Sequence, residues 1–264
     1  MIMAEDLIKN KTVIDAHIKP FLDGTYTNYV LGNQILYDMC THYSYHKSLD
    51  EIAAKAWIIN KSYSAQLERY IAKVSDDADF YYDGIAKVLL DNGQKLDRMI
   101  DEVRGEKVNR QNIEEMFSIH SYFMSLIDKL PKTKVCGASA RSFASKYLHF
   151  HAPGFFYIYD SRTSSIITKF VKKPTKVEIE KYKNYVCEKL GDENDSGNEN
   201  DNEEKDSVYI EFGLRLLYLQ EHINREKNVQ ITPRQIDSFL LESEAHKEWF
   251  EEECHGAINN EVDE

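Results

Sequence analysis

The side chains best suited to chemistry gather in one stretch, residues 129–176, which reads KLPKTKVCGASARSFASKYLHFHAPGFFYIYDSRTSSIITKFVKKPTK. Asp160 ends the apolar run FFYIY and stands immediately before a helix-forming segment, the place of an N-cap, where aspartate accepts hydrogen bonds from the first helical amides. Ser142, Ser145, Lys146 and His149 recur at i, i+3, i+4 and i+7, so on a helix they share one polar face. That face reads either as a solvated surface or as an array for phosphate contact and proton transfer. Arg162 and Arg141 are further cations of the same stretch, each suited to an ion pair or to a phosphate. Lys132, Lys134, Gly137 and Ser139 form a basic, turn-prone approach to the helix.

These residues need helices to position them, and the chain supplies the signals. Pro131 ends one helix and Gly137 permits a tight turn. A second helix is expected over 138–151, with Ala140, Phe143, Ala144, Tyr147, Leu148 and His151 on or near its buried side. Pro153 and Gly154 break it. FFYIY is too short for a helix and is expected to thread the core in extended form, delivering Asp160 to a helix over 161–172. Capping boxes mark other starts: Ser48 with Glu51, Thr175 with Glu178, and Thr232 with Gln235, the last with Pro233 at the first helical position. Further helices are expected at 26–45, 62–74, 78–104, 110–129 and 207–225. In the last of these Tyr209, Phe212, Leu216 and Leu219 form a core stripe. The predicted fold class is all-α, a multi-helix globular fold.

With Pro153, FFYIY and Asp160-Ser161-Arg162 in this order, residues 130–175 resemble the helix-hairpin-helix DNA glycosylases. The SKYLHFH…YDS pattern is also similar to that of bacterial proteins with no assigned activity. The first resemblance implies a hairpin whose backbone amides hold a DNA phosphate, around Lys132, Lys134, Gly137 and Ser139. It also implies a catalytic Asp160 whose carboxylate stabilises positive charge on the sugar and orients water as a base departs. Such an enzyme needs a pocket for an extruded base, and Tyr29, Asn33, Trp57 and Tyr63 are the candidates for its wall. Two departures from the family pattern matter. Gly137 is followed by Ala138 where a Gly-x-Gly turn is usual. Strand-cleaving members carry a nucleophilic lysine about 19 residues before the aspartate, where this chain has Ala140 and Arg141. Arginine does not deprotonate to form a Schiff base, so the resemblance implies a monofunctional enzyme.

Charge is distributed in keeping with a DNA partner although the net formal charge is -12. Residues 129–190 hold 13 basic and 4 acidic side chains, whereas residues 191–207 hold 1 and 8. That acidic segment, GDENDSGNENDNEEKDS, lacks large apolar residues and is expected to be a disordered insert. Four regions follow: a helical region over 1–128, the Asp160-bearing segment over 129–190, the insert over 191–207, and C-terminal helices over 208–264 that pack back on the body. Cys40, Cys136, Cys187 and Cys254 are too far apart for a local zinc or iron–sulfur loop and read as reduced, buried thiols. The nine histidines show no ligand spacing, so neither a metal nor another cofactor is expected. No apolar run is long enough to span a bilayer, and MIMAEDLIKNK lacks the pattern of a signal peptide, so a cytoplasmic protein without a membrane partner is expected. The function expected is hydrolytic excision of a damaged or modified base by a DNA glycosylase-like protein. Its alternatives are a DNA-binding module without activity and an acidic helical protein-interaction domain.

Overall fold

The computed structural model describes residues 7–69, 78–131, 137–191 and 199–250, with side chains described outside 199–206. The architecture is mostly helical. Among the described residues the β structure is confined to an isolated antiparallel bridge between Ile8 and Val171. In chain order the helices are α1 (Lys11–His17), α2 (Lys19–Leu22), α3 (Val30–His42), α4 (Leu49–Ser62), α5 (Lys87–Asp91), α6 (Gly93–Val103) and α7 (Ile113–Asp128), then α8 (Gly137–His151), α9 (Ser161–Phe170), α10 (Lys176–Leu190), α11 (Glu199–Lys227) and α12 (Pro233–Ala245).

Two helices, α7 and α8, lie at the centre and are buried on nearly every side, α7 chiefly through apolar and small residues and α8 with a polar face buried as well. In α7 the buried set includes Met116, Phe117, Ile119, Phe123, Leu126 and Ile127. From Ala140 to the end of α8 every residue except Ser142 is buried. Helices α3, α4, α7 and α11 pack around α8, and α12 packs on α9 and α2. One apolar cluster runs from Leu7 to Leu240 and takes in Tyr209, Phe212, Leu216 and Leu219, the stripe expected on α11. Gly213 lets α11 approach α7, since a Cβ there would lie 2.6 Å from Phe117 Cε1. On the far side of α8, Lys55 of α4 donates to Tyr43 O at 2.6 Å and reaches His151 Nε2 at 3.1 Å. His46 bridges Asp97 of α6 and the Tyr147 hydroxyl.

Several expectations need correcting. Helix α4 stops at Ser62, and no helix continues over 63–69 apart from a single 3-10 turn at Leu67–Arg69. Ser64 and Gln66 are left-handed, with φ of 50° and 58°, and Asn60 Oδ1 accepts from the Leu67 amide at 3.2 Å. Such side-chain bonds to backbone compete with helix continuation. Residues 70–77 lie outside the described residues. The expected helix over 78–104 is a π-helical segment, Phe80–Ala86, running into α5, then a break at Asn92 before α6. Gly93 marks that break, where a Cβ would meet His46 O at 2.6 Å. Thr175 and Thr232 close their capping boxes, but Ser48 caps α4 without a side-chain bond. Within the acidic segment, residues 192–198 lie outside the described residues, and α11 already begins at Glu199. Adding a residue to an existing helix costs far less than starting one. Cys40 is buried, as expected, but Cys187 is exposed.

Candidate functional site

Residues 156–160 form a connection without regular secondary structure, extended at Asp160, which is the N-cap of α9 with φ -141° and ψ 149°. Its Oδ1 accepts from the Arg162 amide at 3.0 Å. What holds this connection is the polar face of α8. Ser145 Oγ accepts from the Tyr159 amide at 2.9 Å, the His149 ring bonds Phe156 O through Nδ1 at 2.8 Å, and Lys146 Nζ donates to Asp160 Oδ2 at 3.3 Å. The face is therefore not solvated. Ser145, Lys146 and His149 are all buried, because their hydrogen-bonding partners are the carbonyls, amides and carboxylate of the chain that leads to Asp160.

Lys146 donates twice more, to Ser142 Oγ at 2.8 Å and to Tyr63 O at 3.0 Å. Three acceptors match the three protons of an ammonium. Burial pulls its pKa below the usual lysine value, opposed by the neighbouring Asp160. Burial likewise pushes the Asp160 carboxyl up, but the Lys146 ammonium and the amide and side chain of Arg162 outweigh it and hold Asp160 below the ordinary aspartate value. Asp160 is thus kept ionised.

Asp160 and Lys146 line a cleft of about 950 Å³ between α3, α9 and α12. Tyr29, Asn33, Tyr63 and Arg162 line it too. Tyr63 donates its hydroxyl to Asn33 Oδ1, and Tyr29 is 82% exposed at a left-handed backbone position, φ 61°. The structure does not bring every candidate here. Trp57 is 52% exposed and is not among the lining residues. His149 is fully buried, with Nε2 on the Tyr37 hydroxyl and a pKa that burial lowers to about 3, so it braces the core and does not face a ligand. Arg141 is buried with its guanidinium 5.1 Å from the Tyr159 ring centre, away from the cleft. Gly137 and Ser139 sit partly buried in the first turn of α8, and Lys132 and Lys134 lie outside the described residues.

Among the lining residues that the sequence did not single out are Arg234 and Asp237 of α12. Arg234 donates to Asp237 Oδ2 at 2.9 Å. Asp237 is buried, its Oδ1 has no hydrogen-bond partner, and burial raises its pKa to about 6 against the pull of Arg234 and Lys146. A signal was present: Asp237 interrupts the buried stripe of Ile236, Phe239 and Leu240. No cluster of histidine, cysteine or carboxylate side chains suited to a metal occurs among the described residues, and no described helix is long and apolar enough to cross a membrane. Compared with protein-family models, curated proteins and solved structures, the chain matches none.

Proposed function

We propose that the chain is a monofunctional, DNA glycosylase-like hydrolase that takes an extruded, damaged or modified base into the cleft and cleaves its N-glycosidic bond at Asp160. The observation that carries this reading is an ionised carboxylate, held by a buried lysine, on the wall of a cleft in the size range of small-molecule sites. A departing base leaves positive charge on the sugar, and a fixed carboxylate stabilises that charge more in the transition state than in the ground state. Lys146 does not touch the substrate in this scheme. It keeps Asp160 charged and correctly turned, and Ser142 and Tyr63 O keep Lys146 in place. Tyr29 and Tyr63 offer ring faces to a flat ligand, and Arg162, exposed at the mouth, suits a flanking phosphate.

Asp160→Asn is the direct test. Asparagine caps a helix about as well as aspartate but carries no charge. Base release from damaged duplex DNA should fall by at least about 100-fold while duplex affinity is retained. Release at the wild-type rate would remove Asp160 from the chemistry, and duplex binding without release by the wild type would favour a binding module.

A further inference from the structure

We propose that Asp237 is the proton donor to the leaving group in this cleft, and hence that the substrates are N-glycosides whose base departs from a neutral form. The inference rests on the hydrolytic reading above and extends it to a second residue and a substrate class.

Asp237 lines the same cleft as Asp160 but comes from α12, and only one of its carboxyl oxygens is engaged, by Arg234 at 2.9 Å. The other, Oδ1, is buried with no hydrogen-bond partner. An ionised oxygen in that state is unfavourable, whereas a protonated carboxyl there is a donor whose acceptor can arrive with a ligand. The Cβ–Cγ torsion is soft, so a protonated carboxyl lining the cleft can present its hydrogen to a ligand seated there. The charged and titratable groups around it are Lys146 from α8, Asp160 and Arg162 from α9, Arg234 from α12, Tyr37 from α3 and Tyr63 after α4. Burial dominates over these neighbours and raises the Asp237 pKa, while Asp160 is lowered. Of the three carboxyls lining the cleft, Glu242 accepts from the Tyr26 hydroxyl at 2.8 Å, and Asp237 and Asp160, with opposite shifts, divide into an acid and a charged stabiliser.

The step balances. As the C1′–N bond breaks, its electron pair goes to the base and the Asp237 proton goes to a ring nitrogen or carbonyl oxygen of that base, which leaves uncharged. The sugar cation faces Asp160. Water then adds to C1′, and the proton it releases returns to Asp237. The sum is N-glycoside plus water giving free base and an abasic sugar. A base that is already cationic, such as an alkylated purine, leaves without this proton, so Asp237 discriminates between the two classes.

The test uses the full chain and DNA treated separately with nitrous acid or hydrogen peroxide, which give neutral altered bases, and with dimethyl sulfate, which gives cationic alkylpurines. Released bases are quantified by mass spectrometry for wild type, Asp237→Asn, Asp237→Glu and Asp160→Asn, with melting curves to confirm folding. Asp237→Asn should lower the ratio of neutral to cationic base release by about 100-fold, and Asp237→Glu should recover part of it. Release of neutral bases by the wild type should decline as pH rises through about 6, and that alkaline limb should vanish in Asp237→Asn. An unchanged ratio and an unchanged alkaline limb in Asp237→Asn would overturn the role of Asp237 while leaving Asp160 chemistry intact. Wild-type release of alkylpurines only would overturn the substrate class. Release of nothing from any of the three DNAs would overturn the hydrolytic reading itself and the inference with it. Carboxyl carbon NMR of the ligand-free protein gives an answer independent of activity: Asp237 should titrate well above an ordinary aspartate, and titration at the ordinary value would reject it as the acid.

Discussion

At Lys146 the number of acceptors decides the chemistry. An amine that attacks a sugar carbon needs a free lone pair, but Nζ is committed to Tyr63 O, Ser142 Oγ and Asp160 Oδ2 as a three-donor ammonium. On DNA from which the protein releases a base, borohydride should therefore trap no covalent complex, and strand breaks should form only after alkali. A trapped complex that disappears in Lys146→Ala would show that the lysine is the nucleophile. Asp237 gives a second prediction at this scale. Its carboxyl is raised in the fold from 3.8 to about 6, so its contribution to stability is fully present below pH 3.8 and is lost as pH rises to about 6. Urea unfolding of Asp237→Asn beside wild type should show the variant gaining relative stability between pH 3.5 and 7, by up to about 3 kcal/mol. Asp160 has the opposite sign, because its lowered carboxyl contributes stability above the ordinary aspartate value that is lost as pH falls through its folded pKa. Asp160→Asn should accordingly lose stability relative to wild type as pH rises from acid toward the ordinary aspartate value of 3.8, a window below that of Asp237. A variant-to-wild-type difference independent of pH in either case would contradict these environments.

Helix α8 acts as a clamp at the next scale. The spacing of Ser142, Ser145, Lys146 and His149 was legible in the sequence as one polar face. What that face meets was not, because periodicity reports that side chains share a side and not whether water or another segment lies there. The run FFYIY, also legible as a non-helical connection, fills that side and turns a polar stripe into an internal docking surface. Helix α11 depends on a single missing side chain for its position. Gly213→Ala would place a methyl 2.6 Å from Phe117 Cε1 and 2.9 Å from Met116 Cε, in the packed interior. Overpacking of this kind costs about 1–3 kcal/mol, more than the roughly 1 kcal/mol that alanine adds to a helix over glycine. Chemical denaturation should register a net loss, and an equal or greater stability would mean that α11 and α7 are less closely apposed.

For the whole molecule the sign of the charge depends on where it is read. Residues 129–190 carry 13 basic against 4 acidic side chains within a chain of net charge -12. If this region carries a DNA footprint, reversing Lys132 and Lys134 to glutamate should weaken duplex binding and flatten its dependence on salt, since each lost phosphate contact releases fewer counterions. An unchanged salt slope, measured by fluorescence anisotropy across a salt series, would place the contact surface elsewhere.

The sequence by itself determined the helical class, the start of α10 and α12 at their capping boxes, the non-helical run before Asp160 and the N-cap role of Asp160, since each follows from interactions within a few residues. Tertiary structure decided the rest. It buried the α8 polar face. It also carried α12 across the fold, so that Arg234 and Asp237, more than 70 residues beyond Asp160, complete the wall of its cleft. Local propensity encodes where a helix begins. Which helices enclose a cavity, and which carboxyl within it holds its proton to the higher pH, depends on packing between distant segments, and packing sets the desolvation that separates Asp237 from Asp160.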